Sequence, residues 1–295
     1  MIAELKKITV EGVTVSRGNG GLEFVNVVND FARASICTHG AHLTEFTPHG
    51  AAPLIWMSTE SCYSPEKPIR GGVPVCWPWF GPAAVPGQPA HGFARLAEWK
   101  LIAAEELTGG ATGLRFALDE SIAPEVGFGF RLELSFTIGR DLEMALTTIN
   151  HSPAPVTVGE ALHSYFNISD ISSVEIVGLD GIAYEDHVRG AARPTGNRQL
   201  GTIRVEAETD RLYLPTQDTV EIVDHGLNRT IRVEKSGSLA TVVWNPWIEK
   251  SRAMADFGDE EYHTMLCIEA ANAGSDIRTI LPGQSHTLVQ KISLK

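Results

Sequence analysis

The chain is short of positive charge: 24 Lys and Arg stand against 36 Asp and Glu over 295 residues, a formal net charge of −12. That balance argues against nucleic acid as a partner, because a phosphate backbone needs a cationic footprint. No apolar run approaches the roughly 20 residues needed to span a bilayer, and the opening MIAELKKITVEG lacks the apolar stretch of a secretory leader. A membrane partner is not expected, and the expected location is the cytoplasm. Cysteine is sparse too. Cys37, Cys62, Cys76 and Cys267 are far apart with no Cys-x-x-Cys pair, which disfavours a zinc knuckle or redox motif and fits free thiols in a reducing compartment. Also missing are a GxSxG elbow, a GxxxxGK[ST] loop and a GxGxxG turn between strand and helix. No linker, low-complexity tract or internal repeat divides the chain, so one domain over residues 1–295 is expected.

Helical periodicity is scarce as well, and no strand-helix alternation of the parallel-sheet kind is visible. Period-two alternation takes its place. In Arg131 to Ile138 every even position is apolar and every odd one polar, and the pattern resumes through Leu142, Met144 and Leu146 after Gly139-Arg140-Asp141, as in a hairpin. Similar runs occur at Leu22–Val28, Leu114–Leu118, Val174–Val177, Ile203–Val205, Thr219–Val223, Ile231–Val233, Leu239–Trp244 and Leu288–Leu294. The fold class predicted is all-β, a large antiparallel β-sandwich.

The stretch from Ile69 to Trp99 has a composition wrong for a core and right for a site. Gly and Pro hold its backbone in turns, while Trp and Phe rings, His91, Arg70 and Arg95 project from it. Two cations beside aromatic faces point to a polar, ring-shaped, anionic ligand. The positive charge for such a ligand must be local in a chain this acidic.

Two further segments carry candidate chemistry. VTVGEALHSYF places Glu160 and Leu162 on one strand face and Ala161 and His163 on the other, so His163 points into a concavity beside Tyr165, where it could act as a general acid near neutral pH. A hydrogen-bonded structural histidine is the competing reading. MLCIEAAN reads as a buried strand that presents one carboxylate, Glu269, which needs a partner or a task requiring a shifted pKa. A solvated strand end competes with that reading. Thr209-Asp210-Arg211 reads either as a surface turn or as a site carboxylate, and the rings of Trp244-Asn-Pro-Trp247, followed by Lys250, either stack on a sugar or fill a core. His39 and His42 lack a third ligand at a supporting spacing, so no metal site is expected.

Taken together and in order, GAHL (Gly40–Leu43), IRGGVPVCWPWFGP (Ile69–Pro82), PAHGFAR (Pro89–Arg95), LHSYFN (Leu162–Asn167), TDRLY (Thr209–Tyr213), WNPW (Trp244–Trp247) and CIEAA (Cys267–Ala271) resemble the hexose-6-phosphate mutarotases of the aldose 1-epimerase, galactose mutarotase-like superfamily. The resemblance implies a galactose mutarotase-type sandwich, interconversion of α and β anomers of a hexose 6-phosphate, and no cofactor. It implies Glu269 as the base on the anomeric hydroxyl and His163 as the acid on the ring oxygen. It further implies His91 and Asp210 on sugar hydroxyls, and Arg70 and Arg95 on the phosphate. Some relatives have Gln before HGFAR where this chain has Ala90, so that contact is lost or supplied elsewhere, with Gln88 a candidate. Two other readings stay open: a mutarotase for unphosphorylated aldoses, and a sugar-phosphate binding protein that turns nothing over.

Overall fold

The structure, a computed structural model, describes residues 10–121, 126–188 and 196–295. Four strands open it, β1 (Val13–Arg17), β2 (Glu23–Val28), β3 (Ala32–Cys37) and β4 (His42–Pro48), paired in sequence order. The Gly- and Pro-rich segment that follows contributes the two-residue β5 (Val75–Cys76). Next comes a meander of β6 (Lys100–Glu106), β7 (Thr112–Asp119), β8 (Phe130–Ile138) and β9 (Leu142–Asn150), each antiparallel to the one before. Every second residue of β8 and β9 is buried, and Gly139–Asp141 is the turn between them, as the alternation predicts.

Short strands follow: β10 (Val156–Val158), β11 (Glu160–Leu162), β12 (Tyr165–Asn167), β13 (Val174–Val177), β14 (Ala183–Asp186) and β15 (Asn197–Arg198). Then come β16 (Thr209–Tyr213), β17 (Val220–Asp224), β18 (Arg229–Ser236) and β19 (Ala240–Asn245), helix α1 (Trp247–Ala253), and β20 (Met265–Asn272), β21 (Arg278–Ile280) and β22 (Ser285–Leu294). Ile203–Val205, expected as a strand, has no ladder. Ile203 makes an isolated bridge to Ile176, and Ile203 and Val205 are buried against the sheet edge.

Two eight-stranded sheets face each other across one hydrophobic core. One is ordered β13-β17-β18-β22-β9-β8-β7-β6; the other is ordered β15-β14-β16-β19-β20-β11-β5, with β12 also on β20. Leu134, Leu146, Ile222 and Leu288 from the first meet Leu162, Val243, Leu266 and Ile268 from the second, joined by Val25, Ile36 and Phe46 of the N-terminal sheet. Burying each such side chain contributes about 1.5–3 kcal/mol.

β19 and β20 are buried along their whole length, so neither shows the half-polar alternation of an open sheet. Alternation still sorts their faces. Val243, Leu266, Ile268 and Ala270 point into the main core, while Val242, Trp244, Cys267 and Ala271 belong to a second apolar cluster on the opposite face. Glu269 is on that second face, between Cys267 and Ala271, and its register partner is Val242. Trp244 pairs with Cys267 on one side and Asp210 on the other, which sets Asp210 on the same face. This face is the floor of the candidate site.

Candidate active site

The floor opens into a cavity of about 540 Å³, within the range of small-molecule sites. Glu269, Val242, Trp244 and Asp210 come from β16, β19 and β20; His163 and Tyr165 come from the break between β11 and β12. The long loop after β4 supplies Arg70, Phe80, Gly81, Pro82, Ala90 and His91, and Lys250 and Met254 come from α1 and its end. His187, whose backbone N–H donates to the Asp210 carbonyl at 2.7 Å, completes the wall.

The pattern that makes β11 a strand stops at Leu162, and His163 turns out of the ladder with its N–H donating to the Pro74 carbonyl at 3.1 Å. Its Nδ1 then lies 3.3 Å from Glu269 Oε1. Among the described residues, neither His163 Nδ1 nor Glu269 Oε2 has a hydrogen-bond partner, although both atoms are buried. Burial is the main reason that the His163 pKa is held well below its ordinary value, with the neighbouring His91, Arg95 and Arg70 adding to it. Burial likewise pushes Glu269 well above the usual carboxylate range, with Asp210 adding like-charge repulsion. Both shifts favour the uncharged forms of the two groups.

Tyr165 ties this pair to the loop. Its ring stacks on His163 with centroids 4.8 Å apart and planes 10° apart, and its hydroxyl accepts from Arg70 Nη1 at 3.0 Å. Asp256 Oδ2 accepts from Arg70 Nε at 3.2 Å and lies 3.1 Å from Nη2. His91 sits across the cavity with its ring 5.9 Å from that of His163. Its Nδ1 accepts the Gly81 N–H at 3.3 Å, so the neutral ring carries its proton on Nε2. Burial first, then Arg95 and Arg70, bring its pKa down to about 3, which makes His91 a neutral donor at physiological pH.

The loop is pinned from behind. His42 Nε2 donates to the Gly71 carbonyl at 2.8 Å and His39 Nε2 to the Lys67 carbonyl at 3.2 Å. These two histidines, weighed above as metal ligands, therefore hold the segment that carries Arg70. Gly72 and Gly92 both have φ in the left-handed region. A Cβ on Gly72 would lie 2.3 Å from the Leu43 carbonyl oxygen, and one on Gly92 would lie 1.9 Å from that of Trp77.

Five of the six site residues expected from sequence come together here: His163, Glu269, Arg70, His91 and Asp210 all line the cavity. Arg95 does not. Its Nη2 donates to the Ala90 carbonyl at 2.7 Å, and its charge is one of those that lower the His163 pKa. Gln88 is also absent from the wall. The view of Ile69–Trp99 as all site and no core needs correction too. Trp77 and Trp99 are fully buried; Trp77 Nε1 donates to Thr148 Oγ1 at 3.0 Å, and Trp79 clasps the loop through the Pro89 carbonyl. Phe80 and His91 are the rings that reach the cavity.

Trp244 lines the cavity with Lys250 Nζ 5.9 Å from its ring centroid, whereas Trp247 packs on Tyr262. Lys250 is paired with Glu208 at 3.0 Å and approaches Asp210 at 3.9 Å. Asp256 and His187 carried no signal in the sequence. Among the described residues, His163, Cys267 and Glu269 form a group whose donor atoms all lie within 4.8 Å of one another. Burial pushes the Cys267 thiol well above its ordinary pKa, so it would have to lose a proton to ligate a metal ion. Also among the described residues, no helix is long and apolar enough to cross a membrane.

Comparison with known proteins agrees with this architecture. Residues 24–293 match the family model described as "Aldose 1-epimerase". A protein of Escherichia coli K12 named "Putative glucose-6-phosphate 1-epimerase" is 37% identical over 273 residues, covering 92% of this chain and 90% of that one. One of the same name from Cenchrus ciliaris is 33% identical over 261 residues, covering 85% and 78%. The crystal structure of a "putative mutarotase (YeaD)" from Salmonella typhimurium superposes with a TM-score of 0.88 at 32% identity, covering 100% of this chain and 99% of that one. A galactose mutarotase related enzyme from Lactobacillus acidophilus, 14% identical with a TM-score of 0.71 over 92% of this chain and 97% of that one, shares the fold. With the family model matching residues 24–293 of this chain and curated relatives above 30% identity, the chain belongs to the aldose 1-epimerase family.

Proposed function

We propose that the protein is a hexose-6-phosphate 1-epimerase, which interconverts α and β anomers by opening and reclosing the sugar ring. The observation that carries this reading is the 3.3 Å approach of His163 Nδ1 to Glu269 Oε1 in the cavity wall, linked through the Tyr165 ring and hydroxyl to Arg70. A phosphate on C6 hangs beside the ring oxygen, because C6 is bonded to C5. An acid that serves the ring oxygen and a guanidinium that serves the phosphate must therefore be neighbours, as His163 and Arg70 are.

Glu269 takes the proton of the anomeric hydroxyl and His163 gives one to the ring oxygen. The C1–O5 bond breaks, leaving an aldehyde at C1 and a hydroxyl at C5. Rotation about C1–C2 presents the other aldehyde face, and the same two groups in reversed roles close the ring. The short Nδ1–Oε1 gap supports a direct return path, with the proton gained by Glu269 passing to His163 as His163 gives up its own, so little charge builds up in a buried site. The neutral His91 N–H and the Asp210 carboxylate hold sugar hydroxyls, and Trp244 offers an apolar ring face. Phosphorylated sugars cannot cross a bilayer unaided, and the four free cysteines fit a reducing compartment, so the cytoplasm is the proposed location.

Exchange NMR on glucose 6-phosphate tests the proposal: the protein is expected to speed α/β exchange well above the buffer rate. Acceleration confined to unphosphorylated glucose would instead make it an aldose mutarotase. Saturable binding with unchanged exchange would make it a binding protein.

A further inference from the structure

We propose that Asp256 is a positioning residue that acts through Arg70 and weakens the hold of the anion end of the cavity on any phosphate, so that a bare anion is held poorly and a phosphate carried on a sugar is held through its sugar contacts as well. The inference rests on the assignment of the phosphate to Arg70.

A guanidinium has five N–H donors. In Arg70, Nε donates to Asp256 Oδ2 at 3.2 Å, Nη2 makes an ion-pair contact with the same oxygen at 3.1 Å, and one donor of Nη1 goes to Tyr165 Oη at 3.0 Å. One donor on each terminal nitrogen remains, which is what two phosphate oxygens require. The charge has been cancelled in advance, however. Asp256 is already ion-paired with the same guanidinium, 22% and 29% of the two side chains being exposed, so an arriving dianion meets a neutral pair rather than a free cation. The second cation of the cavity is treated alike: Lys250 is held by Glu208 at 3.0 Å and approached by Asp210 at 3.9 Å. The cavity thus presents directed donors without net positive charge. A free phosphate or sulfate gains two hydrogen bonds and is repelled by the carboxylate behind them. A hexose phosphate adds its contacts with His91, Asp210 and Trp244 and overcomes that repulsion.

One oxygen, Oδ2, faces both Arg70 nitrogens, so Asp256→Asn can keep both contacts through its amide oxygen and remove the charge alone. Inhibition by inorganic phosphate reads the effect. In Asp256→Asn its Ki is expected to fall about tenfold, a change of about 1.4 kcal/mol. The KM for glucose 6-phosphate should fall with it, both being compared with rates on glucose, which carries no anion. If the Asn variant does not fold, Asp256→Ala takes its place with a smaller expected fall, because the guanidinium is then less well oriented. An unchanged or raised Ki in the folded variant overturns the inference and leaves Asp256 as a structural anchor. Arg70→Ala separates the two failures. If it leaves phosphate inhibition intact, the assignment of phosphate to Arg70 is wrong and the inference falls with it. If it abolishes inhibition while Asp256→Asn fails to strengthen it, the assignment stands and the role of Asp256 is refuted.

Discussion

Arg70→Ala is expected to lower kcat/KM for glucose 6-phosphate by about one hundred to one thousandfold, and that for glucose by a few-fold at most. Arg70 donates to Asp256 from Nε and to Tyr165 from Nη1, with Nη2 ion-paired to Asp256, which leaves a donor on each terminal nitrogen for the phosphate. A hydrogen bond to a charged group contributes about 1.5–3 kcal/mol, so losing the fork costs at least that much. The variant also leaves Asp256 unpaired. Two unit charges about 6 Å apart in an effective dielectric near 20 repel by roughly 3 kcal/mol, which solvent at the part-exposed Asp256 cuts to about 1 kcal/mol. The sum of about 2.5–4 kcal/mol corresponds to a loss on the order of one hundred to one thousandfold. Anomer exchange measured on both sugars, with identical buffers and salt, supplies the ratio. The double variant Arg70→Ala/Asp256→Asn should recover about fivefold on the phosphorylated sugar, since it removes the stranded carboxylate. Equal losses on the two sugars, or a double variant no better than the single, would refute the reasoning.

Two other outcomes follow from the buried polar groups behind the site. Burial pushes Glu160 up to about 8, from an ordinary 4.5, with Thr148 as its hydrogen-bond donor at 3.1 Å. Its folded form keeps the proton that the unfolded chain loses, so its stabilising contribution is full below pH 4.5 and falls by about 1.4 kcal/mol per unit up to about pH 8, then stays constant. Glu160→Gln should flatten the thermal stability profile across that window, and an unchanged slope would count against it. Trp77→Ala is expected to cost about 3–5 kcal/mol in denaturant unfolding, because it empties a fully buried site, whereas Phe80→Ala should leave the midpoint nearly unmoved and weaken sugar binding. Reversal of that contrast would mean that the loop is divided differently between core and cavity.

The all-β architecture was legible because β8 and β9 bury every second side chain, and alternation is a local signal. Glu269 was legible because a carboxylate inside an apolar run needs an explanation, which here is a buried position 3.3 Å from His163. Asp256 left no such mark. It meets Arg70 across 186 residues of sequence, and an acidic residue in MADFGDEE looks like any solvated loop. Nor could composition divide the loop after β4. Trp77 and Phe80 are both aromatic neighbours of Pro or Gly, and what separates them is that the Trp77 N–H reaches Thr148 on β9 in the opposite sheet. Arg95 shows the same limit: the family resemblance implies a phosphate ligand there, whereas its Nη2 donates to the carbonyl of Ala90 and the side chain does not line the cavity.

Ring opening by His163 and Glu269 is tested most directly by α/β exchange rates of glucose 6-phosphate measured side by side for the wild type, His163→Ala and Glu269→Gln. Both variants should retain the fold and phosphate inhibition. Each should lose at least about a hundredfold in exchange rate, the contribution expected of a positioned acid or base. Full activity in either folded variant would contradict the account.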